Sequence, residues 1–186
     1  RVLFRSWPLL GHSDRFIRYA ARVALEFQDV SLWHESLLKE TNAEAVITGA
    51  VALAHVGEPS SRTAITTALA KLDWKSLNDA QRIELLRSYE LVFIRLGAPD
   101  QALAATVLKQ IDATFPTKVP MVDRELANVL VFLNSPTIIN KCLAISLGLL
   151  STLWKRIIIR QVEQGGRTKK CGQSTGTSKT RGQQQL

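Results

Sequence analysis

Arg15, Arg18 and Arg22 are three and four residues apart, a spacing that brings their guanidinium groups to one face of a helix. Such a row can serve as an exposed contact surface for a protein partner, and the competing reading is a solvated helix face. A second basic group, Lys155, Arg156, Arg167, Lys169 and Lys170, lies near the C-terminal end. Those side chains could supply salt-dependent contacts to phosphate. They lack interleaved aromatic residues, so binding to nucleic acid or an anionic surface is the alternative function and not the leading one.

Other chemical patterns dissolve on inspection. Gly11-His12-Ser13-Asp14-Arg15 places Arg15 where a hydrolase nucleophile elbow needs a second glycine, and no strand pattern precedes it. Ser13-Asp14 reads instead as a helix N-cap. Ser36 and Lys39 have Ser-x-x-Lys spacing without the companion motifs of an acylating serine enzyme, which leaves an ordinary helix face. Gly172 to Thr180 mimics a phosphate loop, but two residues separate Gly176 from Lys179 and no helix can follow. His12, His34 and His55 form no i,i+4 pair, and neither Cys-x-x-Cys nor Cys-x-x-Cys-His occurs. No catalytic, metal-binding or cofactor-binding residue emerges, and the expectation is a chain that is not an enzyme.

The elements that position the arginines read as helices throughout. Residues 15–25 follow the Ser13-Asp14 cap, with Phe16, Ala20, Val23, Ala24 and Phe27 expected on the packing face and the arginines opposite. A truncated helix is expected over Val2 to Leu10, and a short one, capped by Ser31, through Lys39. Asn42 caps a helix to Gly57; Ser60 or Ser61 starts another to about Leu72; Asn78-Asp79 caps the longest, Ala80 to Leu96. Pro99 opens a helix to about Thr114, Pro116 and Pro120 bracket a turn, and Val122 to Leu133 and Pro136 to about Leu150 complete the series. Cys142, in an apolar helical run, is expected to be buried, and the tryptophans Trp7, Trp33, Trp74 and Trp154 are expected to anchor packing.

Three of these helices end alike. Gly57-Glu58-Pro59, Gly97-Ala98-Pro99 and Asn134-Ser135-Pro136 each set a residue suited to a left-handed C′ position two places before a proline. The prolines are 40 and 37 residues apart, a nearly constant unit that points to an α-solenoid of antiparallel helix pairs over residues 1–150. Residues 151–186 differ in kind. They hold eight basic groups and one acid, so most of the chain's net charge of +8 resides there. Rich in Gly, Ser, Thr and Gln, they read as a disordered basic tail. Their abrupt change of character is also what a reading-frame error near residue 150 would produce. The apolar-rich run from Cys142 to Trp154 has 13 residues, too few to span a bilayer, and no transmembrane segment is expected. The chain opens on Arg1 without a methionine or signal-peptide pattern and is expected to be a fragment of a longer protein.

The stretch from Ser13 to Leu25 resembles a HEAT-type repeat: Asp14 caps the second helix, Ile17-Arg18 makes an aliphatic-Arg step, and Ala21 sits on the packing face. Ala43 to Val56 and Ala80 to Leu96 keep the small and aliphatic positions without the Asp/Arg pair. The stretch from Asp123 to Pro136 resembles the repeat region of large exported bacterial proteins that join a dehydrogenase-like β-propeller to HEAT-type repeats and a c-type haem domain. The resemblance covers about residues 8–150. It implies a scaffold or spacer in contact with other domains of a parent protein or with a protein partner. It also implies a periplasmic or exported location, and haem only in a parent domain that this chain lacks.

Overall fold

A computed structural model describes residues 6–148. The chain divides into two units, Arg1–Lys141 and Cys142–Leu186. The described residues are all-α, a multi-helix arrangement without a strand. Within the first unit the helices are α1 (Arg15–Glu26), α2 (His34–Lys39), α3 (Ala43–Val56), α4 (Arg62–Ala70), α5 (Asp79–Leu96), α6 (Gln101–Ile111) and α7 (Pro120–Phe132), with short 3-10 turns at Trp7–Gly11, Val30–Leu32, Pro59–Ser61 and Asp112–Thr114. Residues 138–148 are also helical.

Polar caps start these helices, those at Asp14, Asn42 and Asn78 where they were read. Asp14 accepts from the Phe16 amide at 2.8 Å, Asn42 from Ala45 at 3.1 Å, and Asp100 from Leu103 at 2.8 Å. Asn78 and Gln81 exchange reciprocal bonds of 2.9 and 3.0 Å, a full capping box ahead of α5. Asp123, in the first turn of α7, accepts from the Thr117 amide at 2.6 Å and the Lys118 amide at 3.1 Å, pinning the turn between Pro116 and Pro120.

Packing alternates. α1 contacts α3, α3 contacts α5, and α5 contacts α7, while α2 meets α4 and α4 meets α6. Contacts of α3 with α2 and α4, and of α4 with α5, join the two series. Trp33, Leu37, Leu53, Ile65, Leu69, Leu85, Tyr89, Leu126 and Leu130 belong to one continuous apolar core between them. Each fully buried Leu or Ile adds roughly 1.5–3 kcal/mol, so burial holds the arrangement together.

Several expectations need correction. The described part of the first segment, Trp7–Gly11, is a 3-10 turn, and residues 1–5 lie outside the described residues. Asp29, not Ser31, makes the cap near residue 30, and it caps a 3-10 turn that Trp33 separates from α2. Pro99 precedes its helix, whose cap is Asp100.

Of the three stop signals, Asn134 (φ 53°) and Gly97 (φ 93°) take positive φ, and Asn134 alone also makes the paired hydrogen bonds of a left-handed cap. There the Ser135 amide reaches the Leu130 carbonyl at 2.9 Å and the Asn134 amide the Val131 carbonyl at 3.0 Å, the paired bonds of a Schellman motif. Gly57 is extended instead, with φ −78°. A Cβ there would lie 2.4 Å from the Leu53 carbonyl oxygen, so close approach, not handedness, selects glycine. Gly97 has φ 93° and ψ 161°, and Arg62 closes that helix end by donating to the Leu96 carbonyl at 3.1 Å.

Cys142 is exposed. Trp33 and Trp74 are buried, and Trp7 donates to Glu40 at 3.0 Å, whereas Trp154 lies outside the described residues. The expected tail and the boundary after residue 150 also lie outside them.

Candidate functional site: an arginine-lined groove

α1 packs with the face opposite to the one its sequence favoured. Ala21 and Leu25 are buried and Arg18 and Arg22 point inward beside them, while Phe16, Ala20 and Phe27 are exposed. The physical reason lies in the neighbours. Arg18 and Arg22 bury their aliphatic stems against the core while other elements supply acceptors for their heads. Arg18 donates to the His12 and Ser13 carbonyls at 2.9 and 3.1 Å. Its Nε lies 3.3 Å from Glu44 on α3, and its Nη2 lies 3.3 Å from Glu84 on α5. The Glu44 contact is close enough for an ion pair but poorly aligned, so the buried Glu44 Oε2 has no directed hydrogen bond. Arg22 donates to Glu26 at 2.8 Å, and His55 Nδ1 sits 2.8 Å from both groups. With a proton that nitrogen donates to Glu26; without one it accepts from Arg22.

Arg15, Arg18 and Arg22 together line an open groove of about 450 Å³ running across α1, α3 and α5. Ile47, Val51 and Leu91 give it an apolar floor. Arg87, which the sequence did not single out, adds a fourth guanidinium from α5 and pairs with Glu125 of α7 at 3.0 Å. Its only sequence signal is position: Glu84, Arg87, Ser88 and Leu91 share one face of α5 at helical spacing. Arg15 has no carboxylate partner among the described residues and lies over the Phe16 ring at 4.8 Å.

Four arginines and one carboxylate, Glu84, line the groove. Burial, reinforced by the Glu44 carboxylate nearby, pushes the Glu84 carboxyl above its ordinary range. Glu125 is held below it, chiefly by the Arg124 hydrogen bond with Arg87 adding to it against burial. Arg18 and Arg22, 12% and 15% exposed, are therefore struts, while the exposed Arg15 and the half-exposed Arg87 can offer donors to a ligand. Such an arrangement can hold an acidic chain against an apolar floor, since guanidinium forks match carboxylates.

The remaining motifs behave as ordinary surface. Ser36 is exposed, and Lys39 pairs with Glu35 at 3.1 Å, away from it. Asp14 caps α1 and accepts nothing from Ser13. Lys155, Arg156, Arg167, Lys169 and Lys170 lie outside the described residues. No family model, curated protein or solved structure matches the chain.

Proposed function

We propose that the first unit is a HEAT-like α-solenoid that works as a non-catalytic scaffold, holding an acidic protein segment in the α1–α3–α5 groove. Alternate packing, α1 on α3 on α5 on α7 with α2, α4 and α6 behind, supports the solenoid reading. The observation that carries the function is the groove itself: four guanidinium groups above an apolar floor, built across the alternate helices α1, α3 and α5 and open to solvent. In a longer exported protein the bound segment belongs to a neighbouring domain, the β-propeller or haem domain that the resemblance implies.

A fluorescently labelled peptide of alternating Glu and Leu tests this by anisotropy. The full chain should bind it, bind the Lys/Leu counterpart far more weakly, and lose affinity at least tenfold in the Arg15→Gln/Arg87→Gln double variant. That variant keeps its fold because Arg124 still holds Glu125 at 2.9 Å. Absence of binding by the native chain, or equal binding by the double variant, would sink the proposal.

A further inference from the structure

Opposite the inward face of α1, Phe16, Ala20, Val23 and Phe27 recur at steps of four, three and four residues, a straight seam along the helix. Phe16 is 68% exposed, Phe27 84%, and Tyr19 beside them 59%. Three aromatic rings left in water on one short helix are the kind of patch that association covers. Phe16 and Phe27 lie outside the arginine groove, while Arg15, Tyr19 and Arg22 along the edge of the seam line it, so the two surfaces adjoin.

Read backwards, the seam matches itself. Two copies of α1 laid antiparallel about a point between Ala21 and Arg22 set Phe16 against Phe27 of the second copy and Ala20 against its Val23. The small central residues let the backbones approach. Charge fixes the direction. Arg15, Tyr19, Arg22 and Glu26 lie along one edge of the seam, and an antiparallel two-fold brings that edge against itself. Arg15, which has no carboxylate partner among the described residues, then lies two residues along the axis, about 3 Å, from the level of Glu26 of the second copy, within reach of its long side chain. Glu26 uses Oε1 for Arg22 and His55, leaving Oε2 for the incoming guanidinium. A parallel pair would set the same edge against Ile17, Ala24 and Gln28, without a charge to meet.

We infer that this chain self-associates through the α1 seam as an antiparallel two-fold dimer. Aromatic side chains bury about 150 Å² each, so three of them fall short of the roughly 800 Å² per partner of a standard interface. The dimer is accordingly weak and forms as concentration rises through the micromolar range.

Sedimentation equilibrium of the full chain, under reducing conditions so that the exposed Cys142 cannot cross-link, provides the test. The average mass should climb from 20.6 kDa towards twice that value with concentration. The Phe16→Glu/Phe27→Glu variant should stay monomeric with an unchanged melting curve, while Ile94→Glu, at a position 78% exposed outside the seam, should dimerise as the native chain does. In a Cys142→Ser/Cys171→Ser background, mixed Ala20→Cys and Val23→Cys chains should form disulfides with each other faster than either does with itself. A native chain that stays at 20.6 kDa throughout overturns the inference and leaves the seam to a helix of another protein. A dimer that survives the double substitution, or Ala20→Cys chains that cross-link fastest with themselves, overturns it equally.

Discussion

Arg18 and Arg15 have the same chemistry, lie three residues apart on one helix, and should respond differently to the same substitution. Arg18 bonds two carbonyls ahead of α1 and touches carboxylates on α3 and α5, with only 12% of its side chain exposed. Removing it leaves the His12 and Ser13 carbonyls and the Glu84 carboxylate without this donor and Glu44 without its ion-pair partner, and hydrogen bonds to charged groups are worth about 1.5–3 kcal/mol. Arg18→Ala should therefore lower unfolding stability by ~2 kcal/mol, while Arg15→Ala should stay within about 0.5 kcal/mol of the native chain. Urea unfolding followed by circular dichroism measures both. Equal effects would mean that the Arg18 contacts contribute nothing net to stability.

At the scale of the element, how much the sequence disclosed depended on how local the signal was. Asp14, Asn42 and Asn78 cap where they were read, because a cap is settled by a side chain and an amide two or three residues away. The facing of α1 could not be settled that way. Its sequence carries two stripes half a turn apart, Phe16-Ala20-Val23-Phe27 and Arg18-Ala21-Arg22-Leu25, and the acids that reward the second come from α3 and α5. Arg18 and Arg22 were thus legible as a row but not as an inward one, and Arg87 entered the groove only through tertiary packing. The helix stops were half legible for a similar reason: Gly57 and Gly97 share a spelling with Asn134 without sharing its backbone. Asn134 gives the element-scale prediction. At φ 53° a side chain with a Cβ is strained by about 1–2 kcal/mol unless, like Asn, it is suited to that region. Asn134→Ala should destabilise by ~1 kcal/mol and Asn134→Gly by much less, and thermal melting of the two variants distinguishes them.

The response of the whole first unit to pH sums opposed carboxylates. The Arg124 hydrogen bond holds Glu125 low, and the Asn42 amide does the same for Glu40 against partial burial. Burial pushes Asp112 up but is outweighed by Ser135, Thr137 and Lys141. Groups depressed in the fold stabilise it above their unfolded pKa, and that contribution is lost as pH falls through their folded values. Glu84 and Glu90 act in the other direction. Burial, with Glu44 beside the first and Glu125 beside the second, raises both, so their contribution is present below the ordinary carboxylate pKa and lost as pH rises through the raised values. Glu84→Gln removes the charge that the site disfavours, and Arg18 keeps Glu44 as a partner. The variant should melt at a higher temperature than the native chain at neutral pH. The difference should shrink on acidification and vanish below pH ~4, where the native Glu84 is itself protonated. Melting curves across that range measure it. A variant that melts lower at neutral pH would mean that the attraction of Arg18 for Glu84 outweighs burial and the repulsion from Glu44.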